Sequence, residues 1–252
     1  MGEKRKSVDI NYHKKKAKLN RLKRRITLIV FLMLVLLGFA LFAPFFSIEN
    51  ISCTGNEIVS LNDIVDRSGI TLGNNIYRTS LYSAKKKIGT IPYIHTVTAK
   101  RKFPDVIELH VVESELAAYI DAVNEYIYID RFGKVLEVQS VPPYGIYPVI
   151  ENAEPTEYIP GEKFITENEE NFNFIVATMT EMVHNSIIGD VNIINCENKS
   201  YLYQNRIEVK LGSIENIEDK IKFLAPRTIE EIGPNGKGTL DLSGKNIVFK
   251  PM

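Results

Sequence analysis

The sequence has no tryptophan and only two cysteines, and its 31 Lys and Arg offset its 31 Asp and Glu, leaving no net charge. Two cysteines cannot staple a disulfide scaffold. Cys53 and Cys196 stand 143 positions apart in what read as different domains, so each is expected as a free thiol. Catalytic signatures are missing too. No GxSxG occurs, and around Gly233, Gly236, Lys237 and Gly238 the order is wrong for a phosphate loop. The four histidines show no paired spacing for zinc. Ser83 and Lys86 have the SxxK spacing, but without an SDN or KTG element they read as the solvated face of a Lys-rich helix. No enzyme activity, cofactor, metal or small-molecule substrate is therefore expected.

The zero net charge conceals two opposite parts. Residues 1–25 hold eleven Lys or Arg and two acids, so the rest of the chain carries 20 basic and 29 acidic groups. After this basic tail come 21 residues without a charge, Ile26 to Phe46, fifteen of them Leu, Ile, Phe or Val. As a helix rising about 1.5 Å per residue they reach roughly 32 Å, enough for a hydrocarbon core of about 30 Å. A cleaved signal peptide would have a shorter apolar core and a small-residue cleavage site. Here Ala43 follows bulky Leu41 by two positions and precedes Pro44, so the run reads as a single membrane span. Lys14, Lys15, Lys16, Lys18, Arg21, Lys23, Arg24 and Arg25 abut its start and predict a cytoplasmic N-terminus, with everything after residue 46 outside. Attraction to anionic lipid, about 1 kcal/mol per Lys or Arg near the surface, explains this basic run more simply than nucleic acid does. The tail has few large apolar residues and is expected to lack structure.

Beyond the span, Phe46, Ile48, Ile51 and Cys53 suggest a short strand closed by Gly55 and Asn56. Ser60 and Asp63 mark a helix start before Leu61, Ile64 and Val65, with Gly69 as its stop. Leu81, Ala84, Ile88 and Ile91 form the stripe of a second helix, ended by Pro92. Residues 93–99 and 107–111 alternate as two strands about a turn at Pro104 and Asp105. The order is β-α-α-β-β.

The stretches FSIENISCTGN, SLNDIVDRSGITLGNNIYR, IPYI and VTAKRKFPDVIELHVVE resemble a POTRA domain of the FtsQ/DivIB bacterial cell-division type. The similarity continues through AAYI, YIYIDRFGKVLEV and the closing LDLSGKNIVFKP. It implies an α+β chain of four parts: a cytoplasmic tail (1–25), a transmembrane helix (26–46), a POTRA domain (47–114) and a β-domain with an antiparallel-rich sheet (115–252).

In that last part, segments 117–120, 126–129, 134–138, 191–194, 201–203 and 207–211 read as strands. Thr166 with Glu169 predicts a capping box for a helix bearing Phe172, Ile175, Val176, Met179, Met182 and Val183, stopped by Gly189. Ile217, Ile221 and Leu224 mark a helix that bends or breaks at Pro226. Residues 239–242 and 246–250 form a terminal hairpin about Ser243, Gly244 and Lys245. Ile247 and Phe249 share one face of its last strand and Val248 the other. That pattern fits an exposed edge that takes a partner strand and an internal strand with two core faces equally well.

The resemblance favours the edge. It implies a non-enzymatic divisome scaffold that binds FtsB/DivIC-like and FtsL-like bitopic proteins and helps to localise and regulate septal peptidoglycan synthesis. The positions matching the family's partner-binding strand are Lys245, Asn246, Ile247, Val248, Phe249 and Lys250. A membrane-anchored POTRA protein that handles polypeptide substrates in export or assembly is the alternative.

Overall fold

A computed structural model describes residues 2–42 and 44–252, with side chains described from residue 19 to 39 and from 44 onward. The architecture is α+β. Helix α1 (Gly2–Phe42) comes first, followed by a 3-10 turn at Pro44–Phe46. The basic tail expected to lack structure forms the beginning of this helix. It contains no proline and is rich in Lys and Arg, both good helix formers. Among the described residues no helix is long and apolar enough to cross a membrane. Of the expected span, residue 43 and the side chains of residues 40–42 lie outside the described set.

Strand β1 (Asn50–Thr54), helices α2 (Leu61–Ser68) and α3 (Leu81–Ile88), and strands β2 (Ile94–Lys102) and β3 (Val106–Glu113) follow in the expected order. The three strands form a sheet ordered β1-β3-β2. The start of α2 is built much as the sequence implies. The Asp63 amide donates to Ser60 Oγ (3.1 Å), and the Ser60 hydroxyl donates to Asp63 Oδ2 (2.6 Å).

By compactness the chain divides into two units: Met1–Ser52, Gly69–Tyr82 and Ala99–Leu109 form one, and Cys53–Ser68, Ser83–Thr98 and His110–Met252 the other. The first buries Ile48, Ile51, Ile70, Ile76, Ile107 and Leu109. Its chain entry is tied by backbone hydrogen bonds, Ile48 N–H to Asn74 O (2.8 Å) and Ile76 N–H to Phe46 O (2.8 Å).

The second unit holds β4 (Ala118–Ala122), β5 (Glu125–Ile129), β6 (Val135–Gln139), β7 (Val149–Glu151), β8 (Pro155–Glu157) and β9 (Ile165–Thr166). After α4 (Glu169–His184) come β10 (Val191–Asn195), β11 (Ser200–Tyr203) and β12 (Ile207–Lys210). Then follow α5 (Ile217–Asp219), α6 (Ala225–Ile232), β13 (Gly238–Asp241) and β14 (Val248–Pro251). Nine strands make one sheet ordered β14-β13-β12-β11-β10-β7-β4-β5-β6. Most neighbours are antiparallel, but β4–β7, β7–β10 and β12–β13 are parallel. Phe174, Ile175, Met179 and Met182 of α4 and Ile229 of α6 share one core with Ile120, Ile127, Val209 and Leu240 of the sheet. Burying each such side chain contributes roughly 1.5–3 kcal/mol.

Two helix boundaries differ from the sequence reading. Asn168, not Thr166, caps α4, because its Oδ1 takes the Asn171 amide (3.2 Å), and the helix stops at His184 with cap residue Asn185, before Gly189. At Pro226 the chain does not break. Residues Lys220–Leu224 form a π-helical turn leading directly into α6, whose first turn accepts a proline because its amide has no intrahelical partner there.

Candidate partner-binding edge

The nine-stranded sheet has two ends of unlike character. At one end, the first residue of β6 is covered: Val135 N–H donates to Glu162 O and Gly161 N–H to Val135 O, both 2.8 Å. At the other end stands β14, with no strand beyond it among the described residues.

Hydrogen-bond alternation fixes which backbone groups of β14 remain open. Gly238 N–H donates to Arg206 O (3.1 Å) and Leu242 N–H to Lys210 O (2.9 Å), so even-numbered residues of β13 aim at β12. Met252 N–H donates to Lys237 O (3.0 Å), and the register sets Thr239 opposite Lys250, Leu240 opposite Phe249 and Asp241 opposite Val248. Val248 and Lys250 therefore form the hydrogen-bonded pairs with β13. Phe249 and Pro251 turn their backbone groups outward. Pro251 has no N–H, so the open face of the strand offers the Phe249 amide and carbonyl and the Pro251 carbonyl.

The alternation expected of the sequence holds for Phe249 and Val248 but not for Ile247, which lies before the strand and is exposed rather than sharing the Phe249 face. Phe249 packs against the core, across from fully buried Leu240, while Val248 is 43 % and Ile247 48 % exposed. Of the six positions expected to bind a partner, Val248, Phe249 and Lys250 lie on β14. Lys245, Asn246 and Ile247 lie before it in the connection from β13. The connection is longer than a three-residue turn because Asp241 closes it locally. Its Oδ1 accepts the Ser243 amide (2.9 Å) and hydroxyl (2.6 Å). These hydrogen bonds, with smaller help from Lys210 and Lys250, hold the Asp241 carboxyl below its ordinary pKa.

Three residues that the sequence does not tie to this edge position it. Gly238 has φ +154°, and a Cβ built on it would lie 2.2 Å from Lys250 O. Arg206 Nη1 donates to Gly233 O and Gly236 O (3.0 Å each), tying the end of α6 to the start of β13. Pro251 extends β14 one residue past the expected end and removes an outward donor. Only Gly and Pro identities hint at these roles in a sequence. The eight basic residues expected to set topology all lie on α1, and Arg21, Lys23, Arg24 and Arg25 are exposed, while the side chains of Lys14, Lys15, Lys16 and Lys18 lie outside the described set. Both cysteines are free thiols. Ser83 and Lys86 are exposed on α3.

Residues 46–114 match the family model for the POTRA domain, FtsQ-type. Over 239 residues the chain is 29 % identical to the cell division protein DivIB of Clostridium botulinum (strain Hall), and the match covers 92 % of each chain. It is 26 % identical to DivIB of Bacillus subtilis (strain 168) over 230 residues, 90 % of this chain and 83 % of that one. To the cell division protein FtsQ of Corynebacterium glutamicum it is 30 % identical over 118 residues, 46 % of this chain and 53 % of that one.

Proposed function

Since the chain belongs to the FtsQ/DivIB family of cell-division proteins, we propose that it is a non-catalytic scaffold of the division complex, docking its partners on β14. It is anchored by one span over 26–46, keeps the basic tail 1–25 in the cytoplasm against anionic lipid, and displays a POTRA domain (47–114) and a β-domain (115–252) outside. Its partners are bitopic FtsB/DivIC-like and FtsL-like proteins. Through them it helps to localise and regulate septal peptidoglycan synthesis.

The open edge carries this reading. An added strand would pair with the Phe249 amide and carbonyl and with the Pro251 carbonyl, and its apolar side chains would cover Val248 and Ile247. Main-chain hydrogen bonds supply affinity in such pairing, and side chains set register and specificity.

Amide hydrogen exchange of the full chain, with and without a purified DivIC-like partner, tests the proposal. The Phe249 amide should exchange freely alone and become protected in the complex, while Val248, Lys250 and Met252 are protected in both. Binding that leaves Phe249 unprotected would refute docking on this edge. Retention of many unfolded polypeptides instead of one bitopic protein would move the chain to the export class.

A further inference from the structure

A second apolar surface lies in the first compact unit, where the chain leaves the apolar helix. Phe45, Phe46, Tyr77 and Phe103 form a continuous row of rings. Phe45 meets Phe46 edge-on at 5.2 Å, Phe46 meets Tyr77 at 5.1 Å, and Tyr77 stacks on Phe103 at 5.1 Å. Core aromatics are normally hidden, yet Phe45 is 66 %, Phe103 54 % and Tyr77 42 % exposed.

The row is held rigidly. Phe46 O accepts the Ile76 amide (2.8 Å), and Arg101 clamps the segment carrying Tyr77, its Nε donating to Ile76 O (2.8 Å) and its Nη2 to Thr79 O (2.7 Å). Two exposed lysines of β2 precede Phe103: Lys100, and Lys102, which pairs with Glu108 at 2.9 Å. The rings therefore start three residues after α1 ends, and Lys100 and Lys102 stand just before Phe103 in the chain.

We propose that these rings form a collar that sits in the headgroup layer of the outer leaflet, so that the bilayer itself orients the membrane-proximal end of the outer region. The inference rests on the single-span reading of 26–46. Aromatic side chains favour this layer because their apolar bodies leave water while their polar edges remain hydrated. Lys100 and Lys102 would face anionic headgroups. Continuity with the apolar run makes lipid the occupant, since a span ending near Phe46 leaves the next rings at the height of the interface.

The absence of tryptophan supplies the test. The full chain with one reporter at a time, Phe45→Trp, Phe103→Trp, Leu34→Trp or Tyr144→Trp, is reconstituted into phosphatidylcholine–phosphatidylglycerol vesicles with lipids brominated at shallow or deep positions. Emission from Phe45→Trp and Phe103→Trp should shift to shorter wavelength and be quenched most by shallow bromine, while Tyr144→Trp, in a fully exposed loop position, keeps water-like emission. Deep quenching of Leu34→Trp with water-like emission from Phe103→Trp overturns the collar and leaves the span standing, and so does quenching at Phe45→Trp without Phe103→Trp. If Leu34→Trp is also unquenched, the span reading fails and the collar with it. Equal quenching at Tyr144→Trp would mean general adsorption, which likewise overturns it.

Discussion

Replacing Gly238 by Ala should detach β14 while leaving the rest of the sheet folded. The new Cβ would stand 2.2 Å from Lys250 O and 3.0 Å from both Lys250 C and Phe249 Cε2. A backbone oxygen cannot rotate aside, so the strand has to shift. A non-glycine residue at φ +154° costs about 1–3 kcal/mol by itself. Weakening one ladder hydrogen bond adds about 1 kcal/mol, for a local loss on the order of 2–4 kcal/mol. At 1.36 kcal/mol per factor of ten, the Lys250 and Met252 amides should exchange about 30- to 900-fold faster. Hydrogen exchange of the full chain reads this directly, with Ile127 of β5 as internal reference because that strand lies near the far end of the sheet. If β14 docks a bitopic partner as proposed, affinity for it should fall in parallel. Unchanged exchange at Lys250 and Met252 would refute the steric argument, and equal acceleration at Ile127 would refute the claim that the damage is local.

Three further outcomes follow from contacts elsewhere. The Glu113 carboxylate accepts the amides of Glu57 (3.0 Å), Ile58 (2.8 Å) and Val59 (2.8 Å), so Glu113→Ala should cost about 1.5–3 kcal/mol and speed exchange at those three amides at least tenfold. Glu113→Gln, keeping one oxygen acceptor, should fall between. Lys134 Nζ donates to the carbonyls of Gly89 (3.2 Å), Ile91 (2.9 Å) and Ile94 (2.7 Å) just past α3; Lys134→Met leaves these acceptors unpaired and should raise proteolytic nicking at 89–94. Burial pushes the Cys196 thiol from its ordinary 9.0 to about 12, so its contribution to stability is intact below pH 9 and lost as pH rises through about 12. Alkaline titration of unfolding checks that sign, and a thiol reagent at neutral pH should modify half-buried Cys53 before Cys196.

What the sequence disclosed divides by the range of the interaction. The α2 start was legible because Ser60 and Asp63 meet within one helical turn. The strands were legible because alternation is local, as in β12 and β13, where every second residue is buried. The α4 cap was misread by two positions, since Thr166 and Asn168 are both good caps and only geometry shows which oxygen reaches the amide of Asn171. Strand order was not legible. Periodicity carries no record that β7 lies between β4 and β10, or that β12 and β13 run parallel with the helical stretch 217–232 between them. The open edge was half legible. Alternation identified Val248 and Phe249, but the outward direction of the Phe249 amide depends on register with β13.

That register also limits what β14 can do. A long open strand would pair indiscriminately, and folded proteins blunt such edges with charges, prolines and short length. The far edge of this sheet is blunted by cover, because Gly161 and Glu162 occupy Val135 and the Lys134 position bridges to Lys163. At β14 the means are different: four residues, a lysine, and a proline at an outward position. With Pro251 unable to donate, an incoming strand meets one strand amide, that of Phe249, so main-chain pairing alone is worth only about 1 kcal/mol per bond made. Selectivity must then come from side chains laid over Ile247 and Val248, and a partner without apolar residues at matching alternate positions gains too little from the backbone to remain bound. On the proposed docking, the same shortness that limits indiscriminate pairing would make the edge selective.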